Sequence, residues 1–319
     1  MAPSLFQRIG LRASRLEREI QLSRIGRLQV EVKRTLLLFA ALRGGSTWLE
    51  RLVRTIPKTA TIWEPLDVFR VPLVRELGFN WRQHIPEDAE WPEAEAFFND
   101  LFSGHLLSPH LTQANSIADL RTADRLVVKI GRGSLLLPWL IKRFQLPKPV
   151  WLIRHPCAVV GSQLLKGAWD HLPVMIDLPD HRHDQYLKQF KPLLIGIQTM
   201  EERQAALWCM EHKYLLEHPL NNEAWTTITY EELITRPEAT ITRIFNTWGM
   251  QVPEHAMDMV RIASPTTANG SPVHDPHTQL TQWTRNLRPE QVERILAVVA
   301  QFGITLYDRD PMPHRSFTS

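Results

Sequence analysis

The sequence predicts an α/β fold: a parallel β-sheet flanked by helices, in three layers. Three observations carry this. Short apolar runs alternate with stretches of helical periodicity. The runs are almost continuously apolar, as strands covered on both faces are. Each of four successive runs also ends on a charged residue, Arg43, Glu64, Lys129 or Arg154. Ligands of such sheets gather beyond the carboxyl ends of the strands.

The elements follow in order. Residues 1–33 read as a basic amphipathic extension, with Arg8, Arg12, Arg15, Arg18, Arg24 and Arg27 interleaved with Leu5, Ile9, Leu16 and Ile20. Such a helix can pack on its own domain or on a partner subunit of a homo-oligomer, or lie on a membrane surface. The domain proper is expected over residues 34–310, with 311–319 as a tail. Residues 34–42 read as a buried strand, followed by a tight Gly44-Gly45 turn and a helix from Ser46 carrying Leu49, Leu52, Val53 and Ile56. Thr59–Trp63 is a short strand. Glu64 precedes Pro65, which favours extended backbone, so Glu64 should project from the strand end.

Residues 68–112 read as helices and loops that shape a pocket or cap the sheet. Arg125–Gly131 is a strand, with a helix over Ser134–Phe144 that admits Pro138 near its start. Pro149–Pro156 is a strand, and its helix runs from Cys157 to Gly167. Residues 168–198 read as a variable, solvated polar segment. A helix over 200–218 follows, then a strand from Thr226 to Tyr230, and a helix opened by Pro237 and closed by Gly249. Residues 263–287 lack periodicity and read as a long loop, a candidate lid. Pro289 opens the last helix, which Gly303 closes.

Composition bounds the function. The chain has 319 residues, 44% hydrophobic and 22% charged, with a formal net charge of +3. This mild excess suits an anionic ligand but is too weak to argue for nucleic acid. The two cysteines, Cys157 and Cys209, form neither a disulfide framework nor a metal cluster, and read as buried filler. No apolar run is long enough to span a bilayer and the N-terminus lacks a signal-peptide run, so the expected location is cytoplasmic, with peripheral membrane contact left open to residues 1–33. His171, His181, His183 and Asp184 make a metal site conceivable, but no second cluster completes it, and the expectation is no metal.

The chemistry centres on Arg43-Gly44-Gly45-Ser46-Thr47-Trp48. Glycines let backbone N–H groups approach an anion, the helix N-terminus adds unpaired donors and partial positive charge, and Arg43 adds a full charge. The stretch is a phosphate cradle of neither common kind. It lacks the Gly-Lys-Ser/Thr of kinases and ATPases and the Gly-x-Gly-x-x-Gly of dinucleotide folds.

The chain does resemble the sulfotransferase superfamily, which transfers a sulfuryl group from 3′-phosphoadenosine 5′-phosphosulfate (PAPS) and releases PAP. Three segments carry the resemblance. Arg43–Trp48 is similar to the family's 5′-phosphosulfate loop. Leu152–Ser162 is similar to its 3′-phosphate segment, whose arginine and serine stand eight positions apart, as Arg154 and Ser162 do here. Tyr230-Glu231-Glu232-Leu233, with Arg236-Pro237-Glu238, resembles its late strand and helix, whose tyrosine lies near the adenine. The resemblance implies a P-loop-like sulfotransferase fold. It also implies donor contacts from Arg43, Gly44, Gly45, Ser46, Thr47, Trp48, Arg154, Ser162 and Tyr230, with Trp48 offering a ring face to adenine, and no metal.

Lys129 aligns with a family lysine that contacts the bridging oxygen or sulfonate. The small-molecule branch carries a catalytic histidine two residues later, where this chain has Gly131. Other branches use a glutamate after the second strand, and Trp63-Glu64-Pro65-Leu66 is similar to their motif. Glu64 is therefore the expected general base, beside Lys129 and Arg43, with His84, His105 and His110 in reserve. The expected acceptor is a hydroxyl or amine of a small molecule, glycan or lipid. Two rival readings stay open at this point: an ATP- or GTP-dependent phosphotransferase with an atypical loop, and a non-catalytic nucleotide- or membrane-binding protein.

Overall fold

The computed structural model describes residues 5–167, 169–262 and 275–317. Five parallel strands form one sheet in the order β2-β3-β1-β4-β5: β1 Thr35–Ala40, β2 Thr59–Trp63, β3 Arg125–Ile130, β4 Val150–Ile153 and β5 Thr226–Thr229. The helices are α1 Leu5–Ile25, α2 Ser46–Val53, α3 Pro72–Glu76, α4 Pro92–Phe102, α5 Ile117–Thr122, α6 Leu137–Arg143, α7 Pro156–Lys166, α8 Gln185–Lys188, α9 Lys191–Leu194, α10 Met200–Glu217, α11 Tyr230–Thr235, α12 Pro237–Thr247, α13 Pro276–Thr281, α14 Trp283–Asn286 and α15 Pro289–Gln301.

The period-2 geometry of a strand sorts β1 cleanly. Leu36, Leu38 and Ala40 face one layer, where Leu49, Leu52 and Val53 of α2 meet Leu233, Ile241, Ile244 and Phe245 of α11 and α12. Leu37 and Phe39 face the other, built from α4, α6, α7, α10 and α15 and including Phe98, Trp139, Val160, Cys209 and Ile295. All six residues of β1 are buried, which is why its sequence shows an apolar run rather than an alternation.

Several expectations are corrected. Tyr230 is the first residue of α11, not the last of a strand; Thr229 caps that helix by accepting from Glu232 N–H, while the Glu232 side chain accepts from Thr229 N–H. The second half of the aperiodic 263–287 segment is helical, in α13 and α14, and Trp283 packs face to face on His155. Residues 263–274, the first half of the proposed lid, lie outside the described residues. Segment 168–198 is not simply a solvated loop, because Ile176, Asp184, Leu187 and Phe190 are buried. The α5 helix, capped by Ser116 and Asp119, had no reading in the sequence.

The N-terminal helix docks by an unexpected face. Leu22 is buried, and Arg18 Nη2 donates to the carbonyls of Thr112 and Asn115, whereas Leu16 and Ile20 point to solvent. At the other terminus, Phe317 is buried and its carbonyl accepts from Asn222 and Arg243, so residues up to 317 lie on the domain. No described helix is long and apolar enough to cross a membrane.

Candidate active site

The carboxyl ends of β1, β2, β3 and β4 converge. After β1 the chain turns sharply: Gly44 N–H closes on Ala41 O, Arg43 sits at φ 72° and Gly45 at φ 100°. Gly45 is obligatory twice over. Its left-handed φ favours glycine, and an added Cβ would fall 2.7 Å from Tyr230 Cδ2. The first N–H groups bonded within α2 are those of Trp48 and Leu49, both to Gly45 O. Those of Ser46 and Thr47 therefore have no intrahelical partner and point out of the positive end of the helix.

The two sequence-predicted anion turns meet. Arg43 Nε donates to Ser162 Oγ at 2.9 Å, across 119 residues of chain. Arg154 Nη1 donates to Arg43 O at 3.3 Å, and its guanidinium lies 4.0 Å over the Tyr230 ring. Arg154 Nε is buried with no hydrogen-bond partner among the described residues. Burial, and then the charge of Arg154, hold Arg43 below the usual arginine range. Two guanidiniums brought together at the mouth of a helix make a site for a multiply charged anion. Trp48 is largely buried in the α2 layer, its indole N–H bonded to Met259 O at 3.0 Å and its ring edge-on to Tyr230.

The second cluster stands at the ends of β2 and β3. Lys129 Nζ pairs with Glu64 Oε1 at 2.5 Å and lies 4.0 Å from the centroid of the Trp63 ring. Gly131 N–H donates to Glu64 Oε2 at 2.8 Å. A Cβ on residue 131 would fall 2.6 Å from that same oxygen and 2.7 Å from Oε1, so the carboxylate occupies the room that a side chain at 131 would need. Glu64 is not extended as Pro65 had suggested; its φ is 44°. The backbone is held there because Glu64 N–H bonds Lys129 O at 3.0 Å while the carboxylate is fixed at Gly131. A non-glycine residue in that region is strained, and such strain clusters at working sites.

The reserve histidines fall elsewhere. His110 Nε2 donates to the backbone carbonyl of Glu64 at 3.3 Å, supporting that residue rather than replacing it. His84 is packed between Tyr186 and Tyr214, and burial pushes it down to about 4. His105 pairs with Asp100. His155, inside the Leu152–Ser162 segment, is a structural pin: its Nδ1 accepts from Cys157 N–H, its Nε2 donates to Asp308 O, and burial lowers it to about 4. Among the described residues no group of three His, Cys, Asp or Glu side chains could hold a metal ion. Asp184 instead accepts from Asn80 Nδ2 and His181 N–H. Both cysteines are free and buried, and burial raises Cys157 to about 12.

Sequence reasoning missed two ion pairs beside this cluster, both at least partly buried. Arg82 pairs with Glu211 at 3.1 Å, and Arg132, next to Gly131, pairs with Asp67 at 3.3 Å. The sequence signal for Arg132 was its place just past Lys129; Arg82 and Glu211 carried none, since their elements meet only in the fold.

A family model described as a sulfotransferase family matches residues 36–254, more than half of the chain. Among solved structures, the chain is similar to the sulfotransferase domain of the Synechococcus PCC 7002 olefin synthase, at 17% identity over 86% of this chain and 95% of that one, with a TM-score of 0.43. It is similar to the sulfotransferase domain from the curacin biosynthetic pathway, at 16% identity over 85% and 98%, TM-score 0.44. It is also similar to mouse sulfotransferase SULT7A1 complexed with PAP, at 14% identity over 88% of each chain, TM-score 0.41. No curated protein sequence matches.

Proposed function

This chain belongs to the sulfotransferase family, and on that premise we propose that it moves the sulfuryl group of PAPS to an acceptor hydroxyl, with Glu64 as general base. The observation that carries the reading is the seat of the Glu64 carboxylate, between Lys129 Nζ and Gly131 N–H, in the space a side chain at 131 would fill. The branch with a histidine at that position is closed to this chain, and the carboxylate stands in its place.

The donor supplies an activated sulfuryl group and two anionic ends. The residues fit it. Arg43, Arg154 and Ser162 form one cationic and hydroxyl-bearing cluster, with an orphaned buried N–H on Arg154, and the 44–47 turn supplies backbone donors beside it. These groups would hold the phosphates and stabilise charge gathering on the leaving oxygen, which is the main work in a transfer of this type. Glu64 accepts the proton of the acceptor hydroxyl as its oxygen bonds to sulfur. Each Glu64 oxygen accepts one hydrogen bond from the described residues, which leaves lone-pair capacity for that proton. Lys129 holds the carboxylate in place and supplies positive charge at the transfer point.

Thermal-shift titration with PAP, and separately with ATP and magnesium, tests the reading. PAP without metal is expected to raise the Tm more than ATP with magnesium does. A larger shift with ATP would move the chain to phosphoryl transfer, and no shift with either would leave it without a nucleotide.

A further inference from the structure

Beside the paired charges of the transfer side lies a further cation, that of Arg203, which forms no salt bridge among the described residues. Lys129 is paired with Glu64, Arg132 with Asp67 and Arg82 with Glu211. Arg203, on the first turn of α10, is 9% exposed, and its Nε and Nη1 are buried with no hydrogen-bond partner among the described residues. Its carboxylate neighbours in sequence are already engaged: Glu201 with Arg294, and Glu202 with the N–H groups of Gln198 and Thr199. The charge that Arg203 feels is that of Arg82, which depresses it further after burial. Arg82 and Arg132 are thus paired, with Glu211 and Asp67, whereas Arg203 forms no salt bridge among the described residues.

The position of Arg203 matters. Arg43 feels Arg154, whereas Arg203 feels Arg82. Glu211 in turn lies within electrostatic reach of Arg82, Arg132 and Glu64. Arg203 stands on α10, the helix whose Glu211 pairs with Arg82 at 3.1 Å, and so lies on the helix that carries a paired charge of the glutamate side. The α10 helix packs against α7 and against the Ser134–Leu136 turn that follows Gly131. Ser134 Oγ and Gln163 Oε1, on those two elements, are likewise buried without partners. Burying a guanidinium without a counter-charge is unfavourable, and a ligand that neutralises it recovers part of that cost.

We infer that the acceptor carries an anionic group, a carboxylate, phosphate or sulfate beside the hydroxyl to be sulfated, and that Arg203 binds it. The inference rests on the sulfotransferase reading and narrows the acceptor to acidic hydroxy compounds. Neutral sterols, simple phenols and unmodified sugars lack the group that Arg203 would pair.

Calorimetry on the PAP-saturated protein tests it with two matched pairs: 4-hydroxyphenylacetate against 4-hydroxyphenylacetamide, and methyl glucuronoside against methyl glucoside. In at least one pair the acid is expected to bind tenfold tighter or more. Arg203→Met should erase that preference and Arg203→Lys should keep part of it, with PAP affinity unchanged in both. Equal or absent binding of the acids, or a preference that survives Arg203→Met, overturns the inference. Loss of PAP affinity in Arg203→Met also overturns it, since Arg203 would then serve the donor or the fold. If PAP does not bind the unaltered protein, it is the sulfotransfer reading that fails.

Discussion

The two sides of the mouth, one proposed for the nucleotide and one for the transfer, are built on opposite electrostatic plans. On the first, Arg154 forms no salt bridge among the described residues; it touches a backbone carbonyl and an aromatic face, and its charge depresses Arg43. On the second, Lys129, Arg132 and Arg82 each stand against a carboxylate. Like charges held together await an anion, and the binding energy is realised only when it arrives. Opposite charges held together position each other beforehand, which is what a proton acceptor needs. Arg203 is the exception on the second side, and for that reason it is informative.

The sharpest way to break this contrast is Glu64→Gln. It keeps the shape but removes the proton acceptor, and turnover should fall by roughly 10²–10⁴. PAP affinity should survive, because the nucleotide side is untouched. Unchanged turnover with PAPS would remove Glu64 from the chemistry.

Arg154→Ala attacks the other side. It should weaken PAP binding by about 2–4 kcal/mol, the scale of leaving one partner of a buried charge pair alone. Calorimetry giving equal affinity would show that the two turns do not grip one nucleotide.

A smaller effect is expected from Gly131→Ala. The new methyl competes with the Glu64 carboxylate for one space, at a cost of about 1–3 kcal/mol in stability, with slower turnover. In a Glu64→Ala background the same change should be milder, and the difference measures the coupling. Identical losses in both backgrounds would mean that Gly131 is there for another reason.

Much of this was legible in the chain. The strands were, because parallel strands buried on both faces must be largely apolar, and Leu36–Ala40, Leu126–Val128 and Val150–Ile153 are. So were the glycine–hydroxyl turn before α2 and the place of Glu64 at the end of β2, while the role of Glu64 as base was an expectation from the resemblance of Trp63-Glu64-Pro65-Leu66 to a family motif. The φ of Glu64 was not, because Pro65 biases the backbone locally while Lys129 and Gly131 hold it from another strand. Tyr230 was read as strand because the Thr229–Glu232 capping box is a side-chain event that apolar periodicity does not register.

The sequence by itself determined which residue types stand at the strand ends, since hydrophobic burial fixes where each strand runs and stops. Only the tertiary structure decided which of them touch. The order β2-β3-β1-β4-β5 sets the chain end of β2 beside that of β3, and that of β1 beside that of β4. That placement makes one pair of Glu64 and Lys129, and another of Arg43 and Ser162. Packing likewise leaves Arg203 without a salt bridge among the described residues, because partner choice across tens of residues is made in space and leaves no periodic trace along the chain.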